Sequence, residues 1–270
     1  MARDRHRARF RDHRRATLSQ NFLHDPAALR MIVRAARLDP DALVWEPGAG
    51  EGTLTRELAR RAGRVRSWEI DPALAARLPH RLRDLPNARP VRGDFLRARP
   101  PREPFAVVGN IPYSRTTDIV RWCLAARTLR SATLLVQEEY ARKRAGAGGR
   151  WTLMTVRGWP EHSWSLGGRV SRHRFTPVPR VDSAVLRIER RTVPLVPVGA
   201  LPAWRGMVEA GFAGVGGSLT ASLARRYGRR AVREACRAAG VPFDAPVGLV
   251  SPDRWLVLFR TLEPGVAGPR

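Results

Sequence analysis

Four times within its first 115 residues the chain passes through a short strand-like segment that stops at a glycine, an acid or an asparagine. The segments are Ala42-Leu43-Val44-Trp45-Glu46, Arg64 to Ile70, Ala88 to Arg92, and Phe105-Ala106-Val107-Val108. Runs of this length read as strands, and helical stretches from about Thr53 to Arg61 and from about Thr116 to Ala126 alternate with them. The pattern predicts an open α/β sheet, in which ligands bind outside the carboxyl ends of the strands. The residues at those four ends are the first candidates for chemistry.

After the first run comes Pro47-Gly48-Ala49-Gly50-Glu51-Gly52, where Gly48 and Gly50 let the backbone turn tightly and approach a ligand. The spacing is not that of a dinucleotide fingerprint, and there is no Walker lysine. The second run ends about twenty residues on in Glu69-Ile70-Asp71, and an acid there grips a ribose diol in open α/β sheets. Glu69 is the candidate for that role. The third run ends in Gly93-Asp94-Phe95, where Asp94 can accept a hydrogen bond from a base amine and Phe95 can pack on its ring. Each acid taken singly reads equally well as a helix N-cap. Acids at successive strand ends make the stronger case.

The fourth run leads into Gly109-Asn110-Ile111-Pro112-Tyr113-Ser114. Pro112 pushes Ile111 into an extended conformation with its carbonyl outward, and Asn110 sets a side-chain carbonyl beside it. Two neutral acceptors side by side can take both hydrogens of an exocyclic amino group, while Tyr113 offers a face for stacking a base. An ordinary polar turn uses the same residue types.

Upstream, Asp25 as N-cap and Pro26 at the first helical position open a helix to about Arg37, with Gln20 and Asn21 before it as turn residues or ligand contacts. Residues 1–16 form a basic tail with almost nothing to bury, expected to be disordered. Downstream, a fifth strand is expected over Ala132 to Gln137, then a helix from Glu138. Arg142, Lys143 and Arg144 then enter a glycine-rich loop ending at Arg150, which reads as an RNA contact or as a solvated helix end. A short helix from about Trp151 and strands over His162 to Val170 and Ser183 to Arg190 complete the sheet. Phe175, in Phe175-Thr176-Pro177-Val178-Pro179-Arg180-Val181-Asp182, is a second stacking face or plain core. Pro194, Pro197 and Pro202 mark a linker, and helices follow over Trp204 to Phe212, Leu219 to Tyr227, Arg229 to Ala239 and Pro252 to Leu262, with Arg225 and Arg226 on a basic face. This gives a catalytic domain over 17–192 and a linker plus small helical domain over 193–270.

The 270 residues carry 49 Lys and Arg against 24 Asp and Glu, a net charge of +25 that points to a polyanionic partner, above all nucleic acid. The two cysteines, Cys123 and Cys236, each lie in a helical pattern, which argues against a disulfide framework and fits a reducing cytoplasm. The scattered histidines offer no ligand spacing, so no metal is expected, and no apolar run is long enough to span a bilayer.

In this order the motifs Ser-Gln-Asn-Phe-Leu, Glu-Pro-Gly-Ala-Gly-Glu-Gly, Glu-Ile-Asp, Gly-Asp-Phe, Gly-Asn-Ile-Pro-Tyr-Ser and Phe-Thr-Pro-Val-Pro-Arg-Val-Asp-Ser resemble the S-adenosylmethionine-dependent rRNA adenine-N6 methyltransferases. The resemblance runs from about Ser19 to Arg191 and more loosely beyond. It implies a Rossmann-like class I methyltransferase with a seven-stranded, mostly parallel sheet and a small all-α C-terminal domain. It implies that Gln20, Asn21 and Leu23 border the methionine end of the cofactor and that Gly48 and Gly50 meet its backbone. Glu69 falls on the ribose with Ile70 beside it, and Asp94 falls on the adenine with Phe95. Asn110 and the Ile111 carbonyl hold the target amine, next to Pro112, with Tyr113 and Phe175 stacking on the base. Ile111 within its motif and the wording around Glu139-Tyr140-Ala141-Arg142-Lys143 and Arg150-Trp151 resemble the actinobacterial macrolide-resistance (Erm) branch, which methylates 23S rRNA. The other branch is the small-subunit rRNA dimethyltransferases. Gly214-Val215-Gly216-Gly217 stands where many relatives carry a basic run. A cytoplasmic monomer that converts S-adenosylmethionine to S-adenosylhomocysteine is expected.

Overall fold

A computed structural model describes residues 21–214 and 218–265, so the expected tail over 1–16 and Gln20 lie outside the described residues. The elements in order are β1 (Phe22–Leu23), α1 (Pro26–Ala36), β2 (Leu43–Pro47), α2 (Thr53–Ala59), β3 (Arg64–Glu69), α3 (Pro72–Ala75), α4 (Leu78–Arg81), β4 (Ala88–Arg92), β5 (Phe105–Asn110) and α5 (Thr116–Ala125). Then come β6 (Leu129–Gln137), α6 (Glu138–Arg144), α7 (Leu153–Gly158), β7 (His162–Val170), β8 (Phe175–Thr176), β9 (Ser183–Arg190), α8 (Leu201–Phe212), α9 (Leu219–Tyr227), α10 (Arg229–Ala239) and α11 (Pro252–Leu262).

Seven strands form one sheet in the order β4-β3-β2-β5-β6-β9-β7, and the pairs from β4 through β6 are all parallel. Strand β2 is buried along its whole length, as expected of a central strand covered on both faces. The chain leaves β2 in one direction to build β3 and β4, then returns to its other side for β5. That reversal opens a crevice at the carboxyl ends of β2 and β5, where ligands of open α/β sheets bind.

Helix α1 shows how local sequence sets a boundary. Asp25 accepts a hydrogen bond from the Ala28 amide at 2.7 Å, Pro26 opens the first turn, and Ala28, Leu29, Ile32, Val33 and Ala36 are buried on one face. The helix ends at Arg37 with φ of 49°, the only non-glycine positive φ among the described residues. A left-handed arginine costs roughly 1 kcal/mol more than the glycine usual there. The buried Arg187 donates through Nη1 to the Ala36 carbonyl at 2.7 Å, satisfying an orphan acceptor of the last turn.

Three boundaries differ from the sequence reading. Strand β6 begins at Leu129, not Ala132, because the ladder with β5 pairs Phe105 with Leu129 and Ala106 with Ser131 and absorbs Arg130 through a register shift between them. Helix α8 begins at Leu201, since Pro202, read as linker, fits a first helical turn whose amides have no partner anyway. Strands β1 and β8 pair antiparallel, Phe22 with Thr176 and Leu23 with Phe175. At two residues each they carry no periodicity that a sequence could reveal.

The chain divides into two compact units, residues up to 138 with 167–187, and 139–166 with 188–270. The sequence reading placed a single boundary at 193. Residues 139–166 group with the C-terminal helices because Val156 of α7 is buried in the same cluster as Trp204, Met207 and Val208 of α8. In this second unit the Trp204 and Phe259 rings meet edge to face at 5.5 Å, and Trp255 is fully buried. A Cβ placed on Gly211 of α8 would overlap the Trp255 ring and lie 2.9 Å from Leu219 Cδ1. Gly211→Ala is therefore expected to lower stability by about 1–3 kcal/mol through overpacking, against the roughly 1 kcal/mol gain usual for such a change inside a helix. Urea unfolding of the two proteins measures the sign.

Candidate active site

The carboxyl ends of β2, β3 and β5 and the loop after β4 surround a cavity of about 230 Å³ in the first unit. Its walls include Asn21, Leu23, Gly48, Gly50, Glu69, Ile70, Asp94, Phe95, Asn110, Ile111, Pro112 and Tyr113, so twelve candidates scattered over the sequence meet in one place. Phe175 is not on the wall. It is 2 % exposed and packs in the core with Leu23, its β-sheet partner.

Each wall is held by a specific contact. Glu69, at the end of β3, is buried, and its Oε2 accepts from the Gly50 amide at 2.7 Å while Oε1 accepts from the Asp71 amide at 2.8 Å. Burial raises its carboxyl above the usual range against these two bonds. Gly50 has φ of 56°, and a Cβ there would lie 3.1 Å from Phe22 Cε1, so only glycine brings the backbone to both Glu69 and the Phe22 ring. Asp71 caps α3, accepting from the Ala73 amide at 2.7 Å. Asp94 accepts from the Leu96 amide at 2.9 Å through Oδ1. For Asp94 the cap and the lining position coexist.

Asn110 Nδ2 donates to the Asn21 carbonyl at 2.9 Å. With its amino end so engaged, the amide leaves Oδ1 as the acceptor, which is the group needed to hold an exocyclic amine. Tyr113 is half-buried, and its hydroxyl lies 2.7 Å from Oγ of the buried Ser183, which fixes the ring against the cavity.

Among the lining residues that sequence reasoning missed are Phe22, Glu46 and Trp68. Trp68 belongs to a bed of rings with Trp45 at 5.4 Å, and its buried Nε1 has no hydrogen-bond partner among the described residues. Glu46 ends the apolar run of β2 as Glu69 ends that of β3, and that shared position was the available signal. It is 1 % exposed, and its Oε2 accepts from Thr55 Oγ1 at 2.5 Å and Ser67 Oγ at 2.7 Å. Burial, with a smaller push from Glu69, raises its pKa to about 7.

Among the lining residues Glu46, Glu51, Glu69 and Asp94 are acidic and Arg115 alone is basic, the reverse of the chain's overall balance. Such a cavity favours a small cation and disfavours phosphate. The folded state holds the Glu46 proton up to about pH 7, whereas an unfolded carboxyl releases it near 4.5, so this group's contribution to stability falls as pH rises through that window. The difference is about 3 kcal/mol in full. Glu46→Gln is expected to be more stable than the parent by about 1–3 kcal/mol at pH 8 and close to it at pH 4.5, read from urea unfolding at both pH values.

The basic candidates of the second unit split into two groups. Lys143 pairs with Glu139 at 2.7 Å, Arg144 donates to Thr152 Oγ1 at 2.7 Å and lies over the Tyr140 ring, and Arg226 pairs with Glu263 at 3.7 Å. Arg142, Arg150 and Arg225 are exposed and have no partner among the described residues.

Comparison with known proteins places this geometry. The profile of the family described as ribosomal RNA adenine dimethylase matches residues 11–263. An rRNA adenine N-6-methyltransferase of Streptomyces fradiae is 54% identical over 253 residues, 93% of this chain and 79% of its own. A mycinamicin-resistance protein of Micromonospora griseorubida is 36% identical over 91% of this chain and 78% of its own. The crystal structure of the 23S rRNA methyltransferase ErmE superposes with a TM-score of 0.87 at 50% identity, covering 90% of this chain and all of that one. With an acid-lined cavity at the sheet's switch point and a family match across almost its whole length, the chain belongs to the ribosomal RNA adenine dimethylase family.

Proposed function

We propose that the chain transfers a methyl group from S-adenosylmethionine to N6 of an adenine in 23S rRNA, leaving S-adenosylhomocysteine, and that the modified base alters the ribosomal site of macrolide antibiotics and so confers resistance. The observation that carries this is the Asn110 amide, tethered through Nδ2 to Asn21 at the mouth of an acid-lined cavity.

The residues present suit this cofactor. Its sulfonium and ammonium against one carboxylate leave it a net cation, which suits a cavity whose acids outnumber its one base. Asn21, Leu23, Gly48 and Gly50 would border its methionine end, Glu69 and Ile70 its ribose, and Asp94 and Phe95 its adenine. When bound it supplies an electrophilic methyl group.

The chain's own residues do the rest. Its basic surface draws in rRNA, with the exposed Arg142, Arg150 and Arg225 reaching phosphates and Lys143, Arg144 and Arg226 shaping that face; the helices over 193–270 contribute to this contact. The target adenine leaves its stack, at a cost of a few kcal/mol, least in a loop. Asn110 Oδ1 and the Ile111 carbonyl accept the two amine hydrogens, and the Tyr113 ring, held by Ser183, stacks on the base, with Pro112 fixing the turn. Held this way, the amine nitrogen would present its lone pair to the methyl group that the bound cofactor supplies, and the nitrogen's surplus proton would pass to water. Catalysis is positioning, with no covalent enzyme intermediate and no metal called upon. Phe175, buried beneath Leu23, supports this wall from the core. The enzyme works as a monomer where ribosomes are made, in the cytoplasm.

Transfer of labelled methyl to large- and small-subunit rRNA offered separately tests the reading, and label confined to the small subunit would overturn it. Asn110→Ala is expected to slow transfer by about 100-fold or more while rRNA and cofactor affinities stay within a few-fold. A second expectation concerns the cofactor alone. S-adenosylhomocysteine should change tryptophan emission through Trp68 on the cavity wall, and Glu69→Gln should weaken that titration at least about tenfold.

A further inference from the structure

A second cleft in the first unit, of about 320 Å³, is lined by Arg30, Arg34, Arg37, Arg60 and Arg61 with Glu57 as its one acid. Arg30, Arg34 and Arg37 lie at i, i+4 and i+7, so they stand along one face of α1 and its cap, and Arg60 and Arg61 follow the end of α2. All five are exposed. Glu57 pairs with Arg60 at 2.5 Å, and among the described residues the guanidinium groups of Arg30, Arg34, Arg37 and Arg61 have no acidic or hydrogen-bond partner. Helix C-termini do favour cations, but that accounts for one or two charges near each last turn and not for four unneutralised guanidiniums around a concavity.

Arg37 adds an independent observation. It is the residue held in the left-handed region, at a position where glycine or asparagine would be unstrained. Strain kept at one site points to a use for the side chain there. The cleft also has a fixed relation to the active site. Helix α2 begins at Thr53, on the wall of the acid-lined cavity, and its far end delivers Arg60 and Arg61 to the basic cleft. Helix α1 likewise gives Leu29 to the cavity and Arg30 to the cleft, so the same two helices serve both sites.

We propose that this cleft is a binding site for the phosphodiester backbone of the substrate RNA, engaging phosphates that flank the target adenine on the side of α1 and α2. The proposal rests on the rRNA reading above and adds a second point of grip, in the catalytic unit itself. Guanidinium forks match phosphate oxygens in pairs, and the neighbouring positive charges that repel one another in the free protein are neutralised together when the backbone settles among them.

The test uses the full chain and an unmodified hairpin of large-subunit rRNA, with affinity measured by fluorescence anisotropy across a series of potassium chloride concentrations. The triple variant Arg34→Gln, Arg37→Gly, Arg61→Gln removes three contacts. It is expected to bind about tenfold or more weakly at low salt and to flatten the slope of log affinity against log salt by about two. Its KM for RNA should rise with kcat nearly unchanged, and its titration with S-adenosylhomocysteine should match the parent. Arg37→Gly alone, which relieves the backbone, should melt no lower than the parent yet still lose about 0.7–0.9 of that slope. If the parent binds and methylates the hairpin and both variants match its affinity and slope, the cleft assignment is wrong and the rRNA reading stands. If the parent itself does not bind the hairpin, both fall together.

Discussion

Glu69 ties the active site together. Its buried carboxylate takes one backbone amide from the turn after β2 and another from the start of α3. A carboxylate removed from water is costly unless its oxygens are satisfied, so once this group is buried the two segments must come to it. The Gly50 turn is thereby fixed against β3, and the cavity between β2, β3 and β5 is shaped before any ligand arrives. Asn110 does the same for the opposite wall by holding the Asn21 carbonyl. Two hydrogen-bonded side chains at strand ends thus convert a generic switch-point crevice into a pocket of definite form.

Much of this was legible in the sequence because it depends on local chemistry. The Asp25-Pro26 start of α1, the glycine turn after β2, and the acids at the ends of β3 and β4 are set by neighbours a few residues apart, and short-range rules find them. Glu46 was hidden for the opposite reason. It sits in an apolar run whose strand character was plain, and only the approach of Thr55 and Ser67 from other elements reveals a carboxyl with its proton retained to about pH 7. Phe175 was ambiguous between stacking and core because a lone aromatic on a proline-rich loop has no periodicity. Its burial follows from the two-residue pairing of β1 with β8, a contact across about 150 positions of chain. The grouping of 139–166 with the C-terminal helices was invisible for the same cause, since it depends on where Val156 is buried and not on composition.

Charge in this protein is sorted by position. The surplus of arginine is carried on helix faces and loops, while the walls of the cavity gather Glu46, Glu69 and Asp94. Evenly mixed charge would suit neither a small cation nor a polyanion; separated charge suits both, on different parts of one chain.

Dissolved ions act unequally on these two regions. Arginines open to solvent lose their hold on phosphates as the ion atmosphere thickens, whereas carboxylates inside a cavity are shielded far less from what lies between them. Ionic strength therefore works as a selector of occupancy. If the pocket holds the cofactor and the basic surface the RNA, as proposed, rising salt sheds the large partner first and keeps the small one, which makes the acid-lined pocket the resident site and the basic surface the exchanging one.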